Sequence, residues 1–247
     1  MEKFNSTVFL KVATLDKSNA ALYANALFLL VLLAVGFVTP WSIVMAYFLE
    51  TIVIGLLNAL KMAFCVGFKR HNGGTQGFGI ILFFLVHYGF FVAIQSIFAF
   101  TFFELGGSTF FTDGIAVLKN YWTLLQLDGM WLLLLSIILN NCFSFATDFL
   151  GEKRYLKFTA SELMIKPYLR IFIQQFVVVL SGFFLVYLDA GFIAAVLLII
   201  LRLGIDLFLV SLRDNSASID KVADWYASKN TEVSAEEVKK QLKIFTE

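Results

Sequence analysis

Long apolar stretches alternate with short polar segments along most of the chain. Six of these stretches are about 18–26 residues long, and only isolated polar positions interrupt them. A helix of about 20 apolar residues spans the roughly 30 Å hydrocarbon core of a bilayer. The pattern therefore predicts an all-α polytopic membrane bundle of six transmembrane helices, which together form the domain 20–212. The fifth span is expected to begin at Pro167, because proline is tolerated as the first residue of a helix. The six predicted spans are 20–38, 42–66, 78–103, 130–150, 167–188 and 191–212.

Three further segments mix polar and apolar residues. Residues 1–19 are interpreted as a short cytoplasmic tail, and residues 213–247 as a cytoplasmic tail of amphipathic helices. Between the third and fourth spans, residues 113–127 have apolar positions at helical spacing, together with Tyr121 and Trp122. Aromatic side chains of this kind favour the headgroup region, so the segment is interpreted as an interfacial helix that lies flat on the membrane.

Basic residues are concentrated on one side of this arrangement. Both tails, the connection between spans two and three and the connection between spans four and five are rich in lysine and arginine, whereas the three opposite connections hold only Lys119. Cytoplasmic loops carry the excess of basic residues, so both termini are predicted to be cytoplasmic. The predicted location is the cell membrane, as a multi-pass protein whose main partner is the lipid bilayer.

Composition supports the membrane assignment and argues against other classes. Hydrophobic residues make up 60% of the chain and charged residues 15%, against about 25% charged residues in soluble domains. The formal net charge of +1 carries no global message, and no nucleic-acid partner is predicted. Cys65 and Cys142 lie in or at the ends of spans, which indicates no disulfide framework. Motifs of hydrolases, zinc proteases and phosphate-binding loops do not occur, so neither an enzymatic activity nor a cofactor is predicted.

Polar side chains inside the apolar spans are the candidate functional residues. In the second span, Glu50 and Lys61 are eleven residues apart and share one helix face. An ionised side chain at mid-bilayer costs about 2.5–3.5 kcal/mol, so this face should meet protein or water rather than lipid. The other spans are expected to supply partners, and the polar groups to converge on one interior layer. The residues predicted to line it are Glu50, Asn58, His87, Gln95, Asn140, Asn141, Gln174, Gln175, Arg202 and Asp206.

Several of these residues admit a structural and a functional interpretation. Arg202 and Asp206 are four residues apart and either neutralise each other or leave Arg202 as a counter-charge for Glu50 or an anionic substrate. Burial disfavours the charged form of a carboxylate, which suits Glu50 to proton transfer, and a structural hydrogen bond is the alternative. His87 is interpreted as a core histidine, with a proton relay as the alternative. No metal site is predicted, His87 being only a weak candidate for a metal or haem ligand.

Three functions of different classes remain open on these residues. The first is a small-solute or ion transporter or channel, proton-coupled in one version, with the polar layer as its pathway. The second is a membrane scaffold or binding protein that forms a homodimer, because small residues four apart begin the sixth span and allow close helix approach. The third is a haem-binding or metal-binding membrane redox protein that uses His87.

Three runs in the spans resemble a known family. They are TPWSIVMAYFLETIVIGLLNALKM, HYGFFVAIQSIF and LRIFIQQFVVVLSGF. Together they are similar to a prokaryotic six-span membrane family that carries only a domain-of-unknown-function label. Relatives place histidines where this chain has Gln95 and Gln175, so the resemblance implies that His87 alone remains here and argues against a histidine-ligated metal or haem. It implies a topology and no activity.

Overall fold

The computed structural model describes residues 17–71, 77–105, 111, 113–187 and 191–214, and a few positions after these. The described residues form helices and no strand, which confirms the all-α prediction. They divide into two compact units, one from Leu30 to Leu198 and one made of the residues before and after it. The helices are α1 (Lys17–Ala34), α2 (Pro40–His71), α3 (Gly79–Leu105), α4 (Val117–Leu125), α5 (Met130–Ser144), α6 (Arg154–Lys157), α7 (Ala160–Tyr187) and α8 (Gly191–Asp214), and a π-helical segment (Phe145–Gly151) follows α5.

Three of the described helices are long and apolar enough to cross a membrane. They are Pro40–Phe68, Gly79–Glu104 and Met130–Gly151, which correspond to the second, third and fourth predicted spans. The apolar part of α1, Ala20–Ala34, is shorter. Apolar helices of membrane-spanning length are therefore confirmed at these three positions, while the count of six remains a prediction.

The connection between α1 and α2 is longer than the sequence pattern suggested, because it comprises residues 35–39 rather than 39–41. Helix α1 ends at Ala34 rather than at residue 38, and Gly36 adopts a left-handed backbone conformation with φ of 78°. Thr39 then caps α2, because its Oγ1 accepts a hydrogen bond from the backbone N–H of Ser42 at 3.1 Å. Pro40 is the first residue of α2, where its missing N–H has no cost.

The predicted start of the fifth span is wrong. Helix α7 begins at Ala160, and Pro167 lies inside it. A capping box begins the helix: the N–H of Glu162 donates to Thr159 Oγ1 at 3.2 Å, and the N–H of Thr159 donates to Glu162 Oε2 at 2.9 Å. These two bonds satisfy the exposed N–H groups at the helix start, so the helix forms seven residues before the proline rather than at it.

Within the unit from Leu30 to Leu198, α2 is the central helix. It packs against α3, α5, α6 and α7. In its most apolar stretch 67% of the residues are buried, against 22% in α3 and 11% in the helix that contains α5. The outer helices therefore expose apolar side chains on their outward faces, as expected where lipid replaces water.

Contacts along α2 give the directions of its neighbours. Trp41, at the start of α2, packs edge-on against Phe103, near the end of α3, with ring centroids 5.3 Å apart. Helix α3 is therefore antiparallel to α2. Ser42 Oγ donates to the carbonyl of Asp128, immediately before α5, at 2.7 Å. Helices α2 and α5 therefore start side by side and run parallel, which requires one crossing by α3 between them.

Helix α7 starts beside the second half of α2 and runs back along it. Leu163, in the first turn of α7, contacts Asn58. Further along α7, Tyr168 packs against Tyr88 of α3, whose hydroxyl bonds to Thr51 of α2. Helices α2, α3, α5 and α7 therefore alternate in direction.

A short helix between α3 and α5 lies within the segment 113–127, whose flat position on the membrane remains a prediction. Helix α4 has nine residues, with Asn120 and Leu124 buried. At about 1.5 Å per residue it is too short to cross a bilayer. Tyr121 packs edge-on against Phe100 of α3 at 5.5 Å.

Candidate functional site

A buried carboxylate meets an amide where α2 contacts α5. The Glu50 residue is only 1% exposed, and its Oε1 accepts a hydrogen bond from Asn141 Nδ2 at 3.1 Å. The same Nδ2 donates to the carbonyl of Ile137, one turn earlier, at 2.9 Å. This second bond fixes the orientation of the amide and directs its N–H group toward Glu50.

The two partners lie at the same depth in their helices. Glu50 comes ten residues after Pro40, and Asn141 eleven residues after Met130. Both are therefore about 15 Å along helices that start side by side and run parallel. In a bilayer of about 30 Å this position is close to the midplane.

Asn58, eight residues after Glu50, makes a different kind of contact. It is 5% exposed, and its Nδ2 donates to the backbone carbonyl of Leu163 in α7 at 3.0 Å. In a regular helix the N–H of residue 167 would bond to that carbonyl, but Pro167 has no N–H. Asn58 therefore supplies the hydrogen bond that the proline removes.

His87 lies outside the interior. Its side chain is exposed, so the expectation of a core histidine is wrong. The neighbouring Tyr88 occupies the buried face instead, 5% exposed, and its hydroxyl donates to the carbonyl of Thr51 at 2.7 Å. Because consecutive helical residues point about 100° apart, Tyr88 turns His87 outward. His87 Nδ1 lies 2.6 Å from the hydroxyl of Tyr168 in α7.

A family model matches residues 10–230 of the chain. The protein belongs to DUF6498, a family of unknown function. This confirms the resemblance to a family that carries only a domain-of-unknown-function label. Neither the curated proteins nor the solved structures provide a match to the chain. Contacts within this DUF6498 protein therefore carry the functional argument.

The remaining predicted residues of the DUF6498 chain fall into three groups. Gln95 and Asn140 are half-buried on α3 and α5. The side chains of Gln174 and Gln175 lie outside the described residues. Arg202 Nε and Asp206 Oδ2 form an ion pair at 3.3 Å, so the pairing predicted from their spacing is present in the unit that contains them.

A groove of about 450 Å³ lies along the second half of α2. The described residues that line it are all apolar: Leu60, Ala63, Phe64, Gly67 and Phe68. None of the predicted polar residues whose side chains are described borders this groove. Among the described residues of the DUF6498 protein, no group of three His, Cys, Asp or Glu side chains is placed to hold a metal ion.

Two contacts were missed at the sequence level. Tyr88 packs against Gly55 of α2, where a Cβ atom would overlap the tyrosine ring. The hydroxyl of Ser96 donates to the carbonyl of Val92 at 2.6 Å and also meets the hydroxyl of Tyr121 at 2.6 Å. Tyr88 and Ser96 stand in apolar runs with no charge beside them, but a glycine in a long helix was a usable signal for close approach of an aromatic ring.

Proposed function

We propose that this DUF6498 protein is a multi-pass cell-membrane transporter that moves a proton or a small cation across the bilayer through Glu50. The observation that supports this function is the Glu50–Asn141 contact, a carboxylate only 1% exposed in a helix of spanning length. A carboxyl group at mid-bilayer costs several kcal/mol when ionised, and such groups mark ion or proton pathways by default.

Glu50 binds the proton or cation, and Asn141 is a positioning residue. The neutral amide of Asn141 donates to Glu50 Oε1 but cannot take up or release a proton itself. Asn141 can hold the carboxyl group in one orientation, because its Nδ2 also donates to the backbone carbonyl of Ile137. The carboxyl group therefore changes charge beside a fixed neutral dipole.

A six-span topology with both termini cytoplasmic is part of the proposal. Its support is the alternating direction of α2, α3, α5 and α7, with α4 too short to add a crossing. Three helices of spanning length are present among the described residues. With α1 and α8 added at the ends, the basic connections fall on one side.

A membrane scaffold or binding protein is the second candidate. Its support is the number of polar side chains that bond to backbone carbonyls rather than to a shared site. These are Asn58 to Leu163, Tyr88 to Thr51 and Ser42 to Asp128. Such bonds hold helices together and need no solute.

Flux measurements separate the two candidates. The purified chain is reconstituted in proteoliposomes, and proton, Na⁺ and K⁺ gradients are applied in turn, each with an entrapped dye that responds to the ion tested. One of these gradients should drive flux above that of empty vesicles. Glu50→Gln should remove this flux, because glutamine keeps the shape and the acceptor oxygen but cannot ionise. Asn141→Leu should slow the flux without removing it.

Asn58→Leu is the matched control, since it removes an equally buried polar side chain from the same helix. Flux per folded molecule should stay at the wild-type value in this variant. Wild-type flux in Glu50→Gln would contradict the assigned role of Glu50. Wild-type vesicles that conduct none of the three ions would contradict transport and favour the scaffold.

A further inference from the structure

An imidazole on the outer face of α3 has one ring nitrogen left for a ligand. His87 lies eight residues after Gly79, in a helix long and apolar enough to cross a membrane. It is therefore about 12 Å from the helix start and inside the hydrocarbon region. Tyr168 occupies Nδ1, whereas Nε2 meets no hydrogen-bond partner among the described residues.

An unsatisfied ring nitrogen in hydrocarbon is costly. A polar group without a partner loses its hydrogen bonds to water and gains none in an apolar environment. If the Tyr168 hydroxyl donates to Nδ1, the imidazole proton sits on Nε2 and points away from the bundle. The outer face then presents a single N–H donor that calls for a carbonyl or similar acceptor from the membrane side.

Aromatic rings surround this donor. Phe83 stacks on the imidazole with ring centroids 5.4 Å apart and an angle of 15°. The ring of Tyr168 stands edge-on to the imidazole at 5.5 Å, and Phe91 stands edge-on to Tyr168 at 6.0 Å. Phe83 is 56% exposed and Phe91 37%, so flat aromatic surface borders the N–H group and can be reached from the lipid.

We propose that His87, Tyr168 and Phe83 form a binding site for a lipid-soluble quinone, entered sideways from the bilayer. A quinone is a flat ring that stacks on aromatic side chains, and its carbonyl oxygen accepts from His87 Nε2–H. Its hydrocarbon tail remains in the lipid. Tyr168 is a positioning residue, because it acts on the ligand through the tautomer and orientation of the imidazole.

A second copy of the chain fits this surface less well. Close helix–helix contacts in membranes use small residues that let the backbones approach. The exposed side chains around His87 are bulky instead, namely Phe83, Val86, Phe90, Phe91 and Ile94. A ring ligand can enter between such side chains, whereas a helix backbone is held away from them.

Photolabelling with a quinone tests the site. The full chain in lipid nanodiscs is exposed to an azido-benzoquinone with a decyl tail, with and without excess unreactive decyl-benzoquinone, and the labelled peptides are mapped by mass spectrometry. Labelling should fall on α3 and α7 and should be suppressed by the competitor. His87→Phe keeps an aromatic ring but removes the donor, and should weaken competition about tenfold, equivalent to about 1.4 kcal/mol.

Two variants complete the test. Tyr168→Phe keeps the ring that packs against α3 and should weaken competition by a smaller factor than His87→Phe, because the donor remains but is no longer oriented. Phe98→Leu changes another exposed aromatic side chain of α3, 57% exposed, and should leave competition unchanged. Thermal unfolding and elution volume of every variant verify the fold.

Three results would overturn the proposal. The first is labelling that the competitor does not suppress, or a competitor that suppresses labelling of His87→Phe as strongly as labelling of the wild type. The second is a dimer that His87→Phe converts to a monomer, which would assign the surface to a second copy. The third is a Soret band in the purified wild type that His87→Phe removes, which would assign Nε2 to haem iron. Because Glu50 is not involved, Glu50→Gln should bind the quinone like the wild type, so failure of transport and failure of this site remain distinguishable.

Discussion

Glu50 and Asn58 stand eight residues apart on the central helix and are almost equally buried, at 1% and 5% exposure. Their partners differ. Glu50 meets a side-chain amide on α5, whereas Asn58 meets a backbone carbonyl on α7 that a proline has left without its usual donor. Burial of a polar group in a membrane helix therefore does not by itself indicate function. The chemistry of the partner, and whether the group can change its charge, distinguishes a candidate site from a structural contact.

Gly55 lies between Glu50 and Asn58 on α2. Its substitution should have the largest effect of the changes predicted here, because it disrupts the packing of α3 on α2. The ring of Tyr88 packs so closely on Gly55 that a Cβ atom would overlap it. Gly55→Ala must therefore push α3 away from α2 and break the bond from Tyr88 to Thr51. We expect a loss of about 3 kcal/mol in the free energy of unfolding, at the upper end for overpacking.

Gly67→Ala is the matched control for this change. It lies on the same helix, and no atom is within 4 Å of its added Cβ. Its stability should stay equal to the wild type or rise slightly. Denaturation in mixed detergent micelles, followed by circular dichroism, measures both variants. If the two variants were equally stable, α3 would not approach α2 as closely as described. The contact of Tyr88 with α2 between Glu50 and Asn58 would then be contradicted.

A double-mutant cycle between Asn58 and Pro167 measures how far Asn58 stabilises the fold by compensating for the proline. Asn58→Leu leaves the carbonyl of Leu163 without a donor and should cost about 1–2 kcal/mol of unfolding free energy. Pro167→Ala restores the N–H that bonds to this carbonyl within α7. In the Pro167→Ala background, Asn58→Leu should therefore cost about 1 kcal/mol less, and this coupling is the predicted quantity. Additive effects would mean that Asn58 does not compensate for the proline.

The sequence predicted that other spans supply partners for the polar residues of α2, but not which groups those partners are. A chain that buries Glu50 and Asn58 in one apolar span must surround that span with protein, and α2 is indeed the most buried of the three helices of spanning length. The partner of Asn58 is a main-chain carbonyl, and a main-chain group leaves no mark of its own in the sequence. Pro167 did mark it, but its position was interpreted as a helix start instead of a gap in the hydrogen bonds of α7.

The outward position of His87 could not be predicted for a related reason. In a soluble helix a polar face identifies the side that meets water, and the opposite face is buried. Helix α3 is apolar on all sides, because lipid and protein interior accept the same residues. Nothing in that pattern shows whether His87 or Tyr88 faces α2. By contrast, the capping box at Thr159 and Glu162 was visible in the sequence, and it would have placed the start of α7 correctly.

The smallest predicted effect is the pH dependence of stability that comes from Tyr121. This residue lies on α4, outside the helices of spanning length, and can be compared with the buried polar groups of α2. Burial raises the pKa of Tyr121 above its ordinary value, and the Ser96 hydroxyl offsets part of this rise because it can donate to the phenolate. A raised pKa means that folding favours the neutral phenol. The stabilisation is therefore complete below the unfolded-state pKa of about 10 and is lost as pH rises through the folded-state pKa. Absorbance of the phenolate near 295 nm should show a late-titrating component to which Tyr121 contributes.

Tyr121→Phe should remove that late titration and reduce the fall in unfolding free energy between pH 9 and pH 11. Tyr23 on α1, which forms no part of this contact, provides the matched variant Tyr23→Phe, which should leave both measurements as in the wild type. If Tyr121→Phe leaves the alkaline loss of stability unchanged, the contact between α4 and α3 does not resist ionisation. Tyr121 would then resemble Asn58, a polar group whose contribution to the fold does not depend on charge. Of the buried polar contacts described here for α2, only that of Glu50 would then be proposed to change its charge.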